Sequence, residues 1–325
     1  MPILVLYPIP VAHAAEAVRR GIAITAGDEQ LLADLAAAPW PRSSAGSRPR
    51  RLAVHLELET GLGRGGLQGA SLERAASTVE AHPRLRLAGL WTHLQAAEDA
   101  ARTQQQVDRF DAAVEDLRRR GHRLPRRHVA ASGGLLLGTV AGLGGVRPGL
   151  AVYGIVPDEL LGTPSAAGPG AALRPALALY ARPVRVADLP AGWGIGYGPT
   201  FVTRRPSRIA TLPLGYGDGW PRSLSNRAEA LVRGCRVPLV GNVAMDAVMA
   251  DVTEVPGPPV SVTDEFVLLG RQGGDEIRAA DLAATRSTNS WEVVTAMAAR
   301  LPRVYHATSG PQAVRTLDSR GSNGS

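Results

Sequence analysis

Apolar runs and helix-periodic stretches take turns along the first half of the chain. "ILVL" (3–6) reads as a buried strand, "AAEAVRRG" as a helix and "IAITA" (22–26) as a second strand. Residues 28–38, "DEQLLADLAAA", carry leucines at helical spacing and place Asp28 at the N-cap. A Pro/Ser/Arg loop, "PWPRSSAGSRPR", leads to a strand over 51–59. A helix near 70–82, a strand over 85–93, a long amphipathic helix near 100–120 and a short strand at "RHVAASG" follow. Strands separated by helix-length spacers pair in parallel through right-handed crossovers. A closed barrel and an open doubly wound sheet both satisfy that pattern.

The texture changes after about residue 170. "ALALYARPVRV", "SRIATLPLG", "AEALVRG", "CRVPLVGNV", "AVMADVT" and "EFVLLG" are short, β-rich and punctuated by Gly, Pro and Asp. They predict an antiparallel β domain closed by one helix, "SWEVVTAMAARL" (290–301). Residues 308–325 are polar and Gly/Ser-rich, which predicts a disordered tail. No fixed-period repeat is visible.

Composition narrows the function classes. The chain has 325 residues, 45% of them apolar, enough to bury a core. No run of eighteen apolar residues occurs, so no membrane span is expected, and no charged region precedes an apolar one at the N-terminus. The single cysteine, Cys235, fits a reducing cytoplasm. Net charge is +7, and all 36 residues counted as lysine or arginine are arginine. Aromatics make up only 4% and the arginines are scattered, so no nucleic-acid partner is expected.

Four predicted strand ends carry chemistry. They are Glu57, Glu59 and Arg64 in "LELETGLGRGG", His93 in "WTHL", Ser132 in "AASGG", and Arg147 with Gly149 in "VRPGLAVYG". Singly, each has a structural reading as a turn, a surface residue or a satisfied core group. Together, a serine hydroxyl with glycine amides suits phosphate, and two arginines with a histidine suit an anionic, conjugated cofactor. In the β-rich half, "GIGYGPT" and "LGYGDGWPR" place Tyr197 and Tyr216 between glycines. Either these tyrosines are exposed to a substrate, or they pack in β-turns.

The motifs "ETGLGRGGL", "LAGLWTHLQAAED", "RHVAASGG", "VRPGLAVYG", "GYGPT", "LPLGYGDGWPR", "VPLVGNVAMD" and "NSWEVV" through "RLPRVY" occur in one order. In that order the chain resembles the alanine racemase family of pyridoxal-phosphate isomerases. The resemblance implies an incomplete TIM-type (β/α)8 barrel over 1–170 and a mostly antiparallel β domain over 171–307. It implies interconversion of L- and D-alanine, supplying D-alanine for peptidoglycan, in a cytoplasmic homodimer with shared active sites.

Residue by residue, it implies that Arg147 faces the pyridine nitrogen and that His93 bonds to that arginine. Tyr197 is one of two opposed acid/base groups, and Ser132, Gly149 and Leu150 cradle the phosphate. Tyr216, Met245 and Asp246 line the substrate entry, with Tyr197 and Met245 reaching into the partner's site. Arg64 lies near the substrate carboxylate, with Glu57 standing where many members carry a carbamylated lysine. No metal is implied.

Three positions depart from the family pattern: Ala131 for an asparagine, Trp291 for a phosphate-binding tyrosine and Gly196 for a serine. The lysine that tethers the cofactor and serves as the second acid/base group has no counterpart in the chain, so these residues alone are expected to be inactive. The reading leaves open a truncated active racemase, a degenerate or split gene product, and a noncatalytic binding homologue.

Overall fold

The computed structural model describes residues 3–40, 50–123, 125–139, 144–307 and 310–316. They divide into two compact units, Met1–Val152 with Glu159–Leu173, and Tyr153–Asp158 with Arg174–Ser325. The middle of the Pro/Ser/Arg loop (41–49) and residues 317–325 of the expected tail lie outside the described residues.

The first unit contains β1 (Ile3–Val5), β2 (Ile22–Ala26), β3 (Leu52–Glu57), β4 (Leu85–Trp91) and β5 (Arg126–His128). Between them run α1 (Ala14–Arg20), α2 (Glu29–Ala37), α3 (Gly69–Ala81) and α4 (Ala100–Arg119). The helices α5 (Ser132–Leu137) and α6 (Pro164–Ala167) follow. All five strands pair in parallel in the order β1-β2-β3-β4-β5. That monotonic order decides between the two candidate architectures. A doubly wound sheet reverses direction at a switch point, whereas a (β/α)8 barrel adds each strand beside the last. The sheet is a partial barrel of five strands.

Burial explains why these helices form. In α4, Thr103, Gln106, Phe110, Val114 and Leu117 are buried at steps of three and four, one face of a 3.6-residue period. Phe110 and Leu117 pack in one cluster with Leu52, Val54 and Leu56 of β3 and Leu90 of β4. Asp28 caps α2 as expected, its carboxylate accepting from Leu31 N at 2.8 Å.

The second unit contains β6 (Leu179–Ala181), β7 (Arg185–Leu189), β8 (Ser207–Leu212), β9 (Glu229–Val232), β10 (Cys235–Val240), β11 (Val248–Asp251), β12 (Phe266–Gln272) and β13 (Asp275–Ile277). They form one sheet whose pairings are all antiparallel, in the order β13-β12-β9-β10-β11-β8-β7, with β6 added beside β12. Phe266, Leu268, Leu231 and Trp220 centre its core. Helices α7 (Ala279–Arg286) and α8 (Ser290–Thr295) follow, then a hairpin of β14 (Arg303–Ala307) and β15 (Gly310–Arg315).

Three expectations are corrected here. The helix expected over 290–301 stops at Thr295. Beyond it Ala298 N donates to Asp218 O, and the backbone of Ala296 passes so close to Gly219 that a Cβ there would sit 2.2 Å from Ala296 O. Tertiary packing thus ends a stretch whose composition favours helix. Residues 279–286, for which no element was expected, form α7. Within the expected tail, 310–315 is a strand. Its residues are nearly all exposed, so pairing with β14 rather than apolar burial holds it, and composition carries no trace of that.

Candidate active site

In a parallel barrel, functional groups gather where strands end and loops begin. The ends of β3, β4 and β5 converge on Arg147. Its backbone N donates to Ala130 O, which lays the 145–147 segment alongside the end of β5. All four Nη hydrogens are taken. Nη1 donates to His128 Nδ1 at 2.6 Å and His128 O at 2.8 Å. Nη2 donates to Thr92 O at 2.7 Å and Val129 O at 2.9 Å. The guanidinium also lies 4.6 Å from the Trp91 ring centroid. Its remaining donor, Nε, is buried and has no hydrogen-bond partner among the described residues.

Burial outweighs neighbouring Glu57 and lowers the Arg147 pKa to about 10, and Arg64 adds to the fall. Burial, reinforced by Arg147, also lowers His93 to about 4 and His128 to about 3. Both imidazoles are therefore neutral near pH 7 and act as hydrogen-bonding groups rather than cations.

The loop after β3 is held by its own side chains. The Glu59 carboxylate accepts from the amides of Gly61 and, at 2.8 Å, Gly63, so Glu59 shapes the loop instead of facing a ligand. Arg64 Nη2 stands 3.5 Å from Glu57 Oε1, and its guanidinium lies 5.5 Å from the Tyr7 ring centroid. Burial raises the Glu57 pKa, and Arg64 opposes the rise. Behind this loop, Thr60 and Thr92 share a hydroxyl hydrogen bond of 2.7 Å. Gln106 of α4 donates to Thr60 Oγ1 and to His93 O, each at 3.1 Å, and accepts from Gln95 N at 2.8 Å. One buried amide thereby ties the β3 loop to the β4 loop that carries His93.

Ser132 opens α5 and is buried. Its Oγ accepts from Gly149 N at 3.0 Å and Ala151 N at 3.1 Å. This joins the α5 entrance to the turn containing Gly149 and Leu150, two residues beyond Arg147. Arg147, Ser132, Gly149 and Leu150 thus belong to one connected edge of the first unit, with His93 following the Thr92 carbonyl that Arg147 holds.

In the second unit, Tyr197 is 79% exposed, so it is not packed in a turn. Asn242 Nδ2 donates to Tyr197 O at 2.9 Å and Gly198 O at 3.2 Å and fixes that loop. Tyr216 N donates to Ala244 O at 3.0 Å and Gly217 N to Met245 O at 2.8 Å, which sets Tyr216 beside Met245 and Asp246. Buried Asp218 closes the turn, accepting from Gly215 N at 3.0 Å and Arg300 Nε at 2.7 Å. Among the described residues, no group of three His, Cys, Asp or Glu could hold a metal.

Comparisons place this geometry. The family model described as alanine racemase, N-terminal domain, matches residues 1–157, and that described as alanine racemase, C-terminal domain, matches 176–305. An alanine racemase of Symbiobacterium thermophilum is 41% identical over 94% of this chain and 78% of its own length. This chain belongs to the alanine racemase family. The crystal structure of alanine racemase from E. faecalis superposes with a TM-score of 0.81 at 31% identity, covering 94% of this chain and 78% of that one. That of the Bacillus anthracis alanine racemase with bound L-Ala-P gives 0.84 at 28% identity, covering 98% and 79%.

One expected contact of the alanine racemase reading is corrected. The histidine bonded to Arg147 is His128, not His93, because the 145–147 segment runs beside β5 and brings the guanidinium to that strand's last residue. Sequence reasoning assigns His128, within "RHVAASGG", no role. It also missed Gln106, a polar residue on the apolar face of α4, whose position was a signal for buried hydrogen bonding. Asn242, Asp218 and Arg300 act through backbone contacts distant in sequence, and nothing local marks them.

Proposed function

We propose that these residues hold pyridoxal phosphate and alanine for racemisation, and that Arg147 Nε is the observation carrying the reading. A buried N–H donor without an acceptor costs about 1–3 kcal/mol unless a ligand supplies one. Here it belongs to a guanidinium fixed on its other four donors, so what Nε lacks is a hydrogen-bond acceptor. An unprotonated pyridine nitrogen fits that requirement. The bound cofactor would delocalise the electron pair left when the α-proton departs. By donating to that nitrogen without protonating it, Arg147 would keep this withdrawal weak and restrain side reactions.

Ser132, Gly149 and Leu150 would hold the phosphate, with less help than the family pattern provides because Trp291 brings no hydroxyl and Ala131 no amide. Arg64, paired with Glu57, would meet the substrate carboxylate. The Glu57 carboxylate would take the role the family gives to a carbamate, with no carbon dioxide to be added. Tyr197, exposed and fixed only through its backbone, would act as acid/base at the site of a second copy, with Met245, Tyr216 and Asp246 at the entry. A cytoplasmic homodimer supplying D-alanine for peptidoglycan goes with this reading.

The 325 residues contain no lysine, so the second acid/base role has no occupant among them. That observation favours one further reading, a noncatalytic homologue that keeps the cofactor site. Titration of the chain with pyridoxal phosphate tests the shared claim. Saturable binding that weakens in Arg147→Ala and Ser132→Ala is expected, and binding indifferent to both variants rejects it. Racemisation by the chain alone is expected to be absent. Turnover by a dimer completed with a lysine-bearing segment separates the enzyme from the noncatalytic binder.

A further inference from the structure

Arg147 is the near end of a longer chain of hydrogen bonds. His128 Nε2 lies 2.9 Å from His55 Nδ1, and His128 Nδ1 receives Arg147 Nη1 at 2.6 Å. His55 sits on β3 and His128 on β5, with β4 between them. Neighbouring strands stand about 4.8 Å apart, so the two imidazoles meet only by crossing the middle strand. The residue of β4 paired with His55 is Gly89. A Cβ there would sit 2.0 Å from His55 Nδ1, the atom that faces His128. A residue without a side chain is therefore what opens the passage.

We propose that His55 is a positioning residue, the terminal acceptor of a directed relay Arg147→His128→His55 that fixes the imidazole tautomer and thereby aims Arg147. A guanidinium only donates, so His128 Nδ1 must be the acceptor. Neutral His128 then carries its hydrogen on Nε2 and donates to His55 Nδ1. Neutral His55 carries its hydrogen on its own Nε2. Had His128 the opposite tautomer, its Nδ1–H would confront the arginine. The cations acting on His55 are Arg86, Arg126 and Arg147, with no anion among them, and with burial they hold both rings uncharged. The relay stands without any cofactor. Only its consequence, Nε held ready for a ring nitrogen, rests on the function proposed above.

Nitrogen NMR of the imidazoles in the full chain tests the relay. The unaltered protein is expected to show neutral His55 and His128, each protonated on Nε2. His55→Gln keeps an acceptor in reach and is expected to preserve the His128 tautomer. His55→Leu and Gly89→Ala are expected to shift the His128 Nε2 resonance and to weaken pyridoxal phosphate binding about tenfold, the worth of one hydrogen bond. Protonation of His128 on Nδ1 in the unaltered protein overturns the relay whether or not any variant folds. An unshifted His128 in Gly89→Ala also overturns it, and equal binding by His55→Leu and His55→Gln overturns the positioning role. If the tautomers hold while the unaltered chain binds no pyridoxal phosphate, the cofactor reading falls and the relay stands.

Discussion

Replacing Gln106 by methionine keeps side-chain length and burial while deleting every polar atom of an amide that is 2% exposed. Three hydrogen bonds go, to Thr60 Oγ1, to His93 O and from Gln95 N. Thr60 keeps its bond to Thr92, so the main damage is to the backbone at His93 and Gln95. At roughly 0.5–1.5 kcal/mol per bond, with at least one buried group left unpaired, the loss is about 2–4 kcal/mol. For a unit of this size that lowers the melting midpoint by roughly 5–15 °C. Thermal and urea unfolding of Gln106→Met against the unaltered chain measures it. The β3 and β4 loops should also lose their mutual register, so pyridoxal phosphate affinity should fall with stability. A midpoint within about 0.5 kcal/mol of the unaltered protein would refute the claim that this amide ties the two loops together.

Acidification should unfold the first unit early. His55 and His93 are lowered to about 4 and His128 to about 3, chiefly by burial, from an ordinary value of 6.5. The unfolded chain therefore binds more protons between these values, and stability present above pH 6.5 is lost as pH falls through that window. About 2 kcal/mol per histidine, after solvent screening, is the expected scale, read from urea midpoints against pH. A midpoint flat between pH 7 and 4 contradicts it. Glu57 carries the opposite sign. Its pKa is raised by burial, so its ionisation costs stability as pH rises above the ordinary carboxyl range. Glu57→Gln should match or exceed the unaltered protein in stability at neutral pH while binding pyridoxal phosphate more weakly, and unchanged affinity would remove Glu57 from the site. Asp218→Ala, which strips the acceptor from Gly215 N and Arg300, should cost about 2–3 kcal/mol and free the Tyr216 turn, detectable as faster amide exchange at 215–219.

Sequence alone exposed the parts of this protein that repeat a local rule. Leucine spacing and Asp28 marked α2 to within a residue at each end, and the apolar face of α4 was legible for the same reason. The alternation of strands and helices announced parallel pairing but left barrel and open sheet tied, because both obey the same local chemistry. Only the spatial order of β1 to β5 separated them. The site divided the same way. Arg147, Ser132 and Gly149 stood out as polar and glycine residues at strand ends. The partner of Arg147 did not, because whether His93 or His128 meets a guanidinium depends on how the 145–147 segment lies beside β5. Gly89 reads as an ordinary strand residue until the ring of His55 is seen against it. Strand β15 was hidden for the opposite reason, since a hairpin held by backbone pairing with exposed side chains leaves no apolar pattern.

The claim on which the account turns is that Arg147 Nε is a donor kept for a ring nitrogen. A crystal structure of the chain soaked with pyridoxal phosphate addresses it directly. The pyridine nitrogen is expected within hydrogen-bond distance of Arg147 Nε, with the other four guanidinium bonds unchanged. A cofactor bound with its nitrogen turned elsewhere, while Arg147 Nε stays unpartnered, would contradict it.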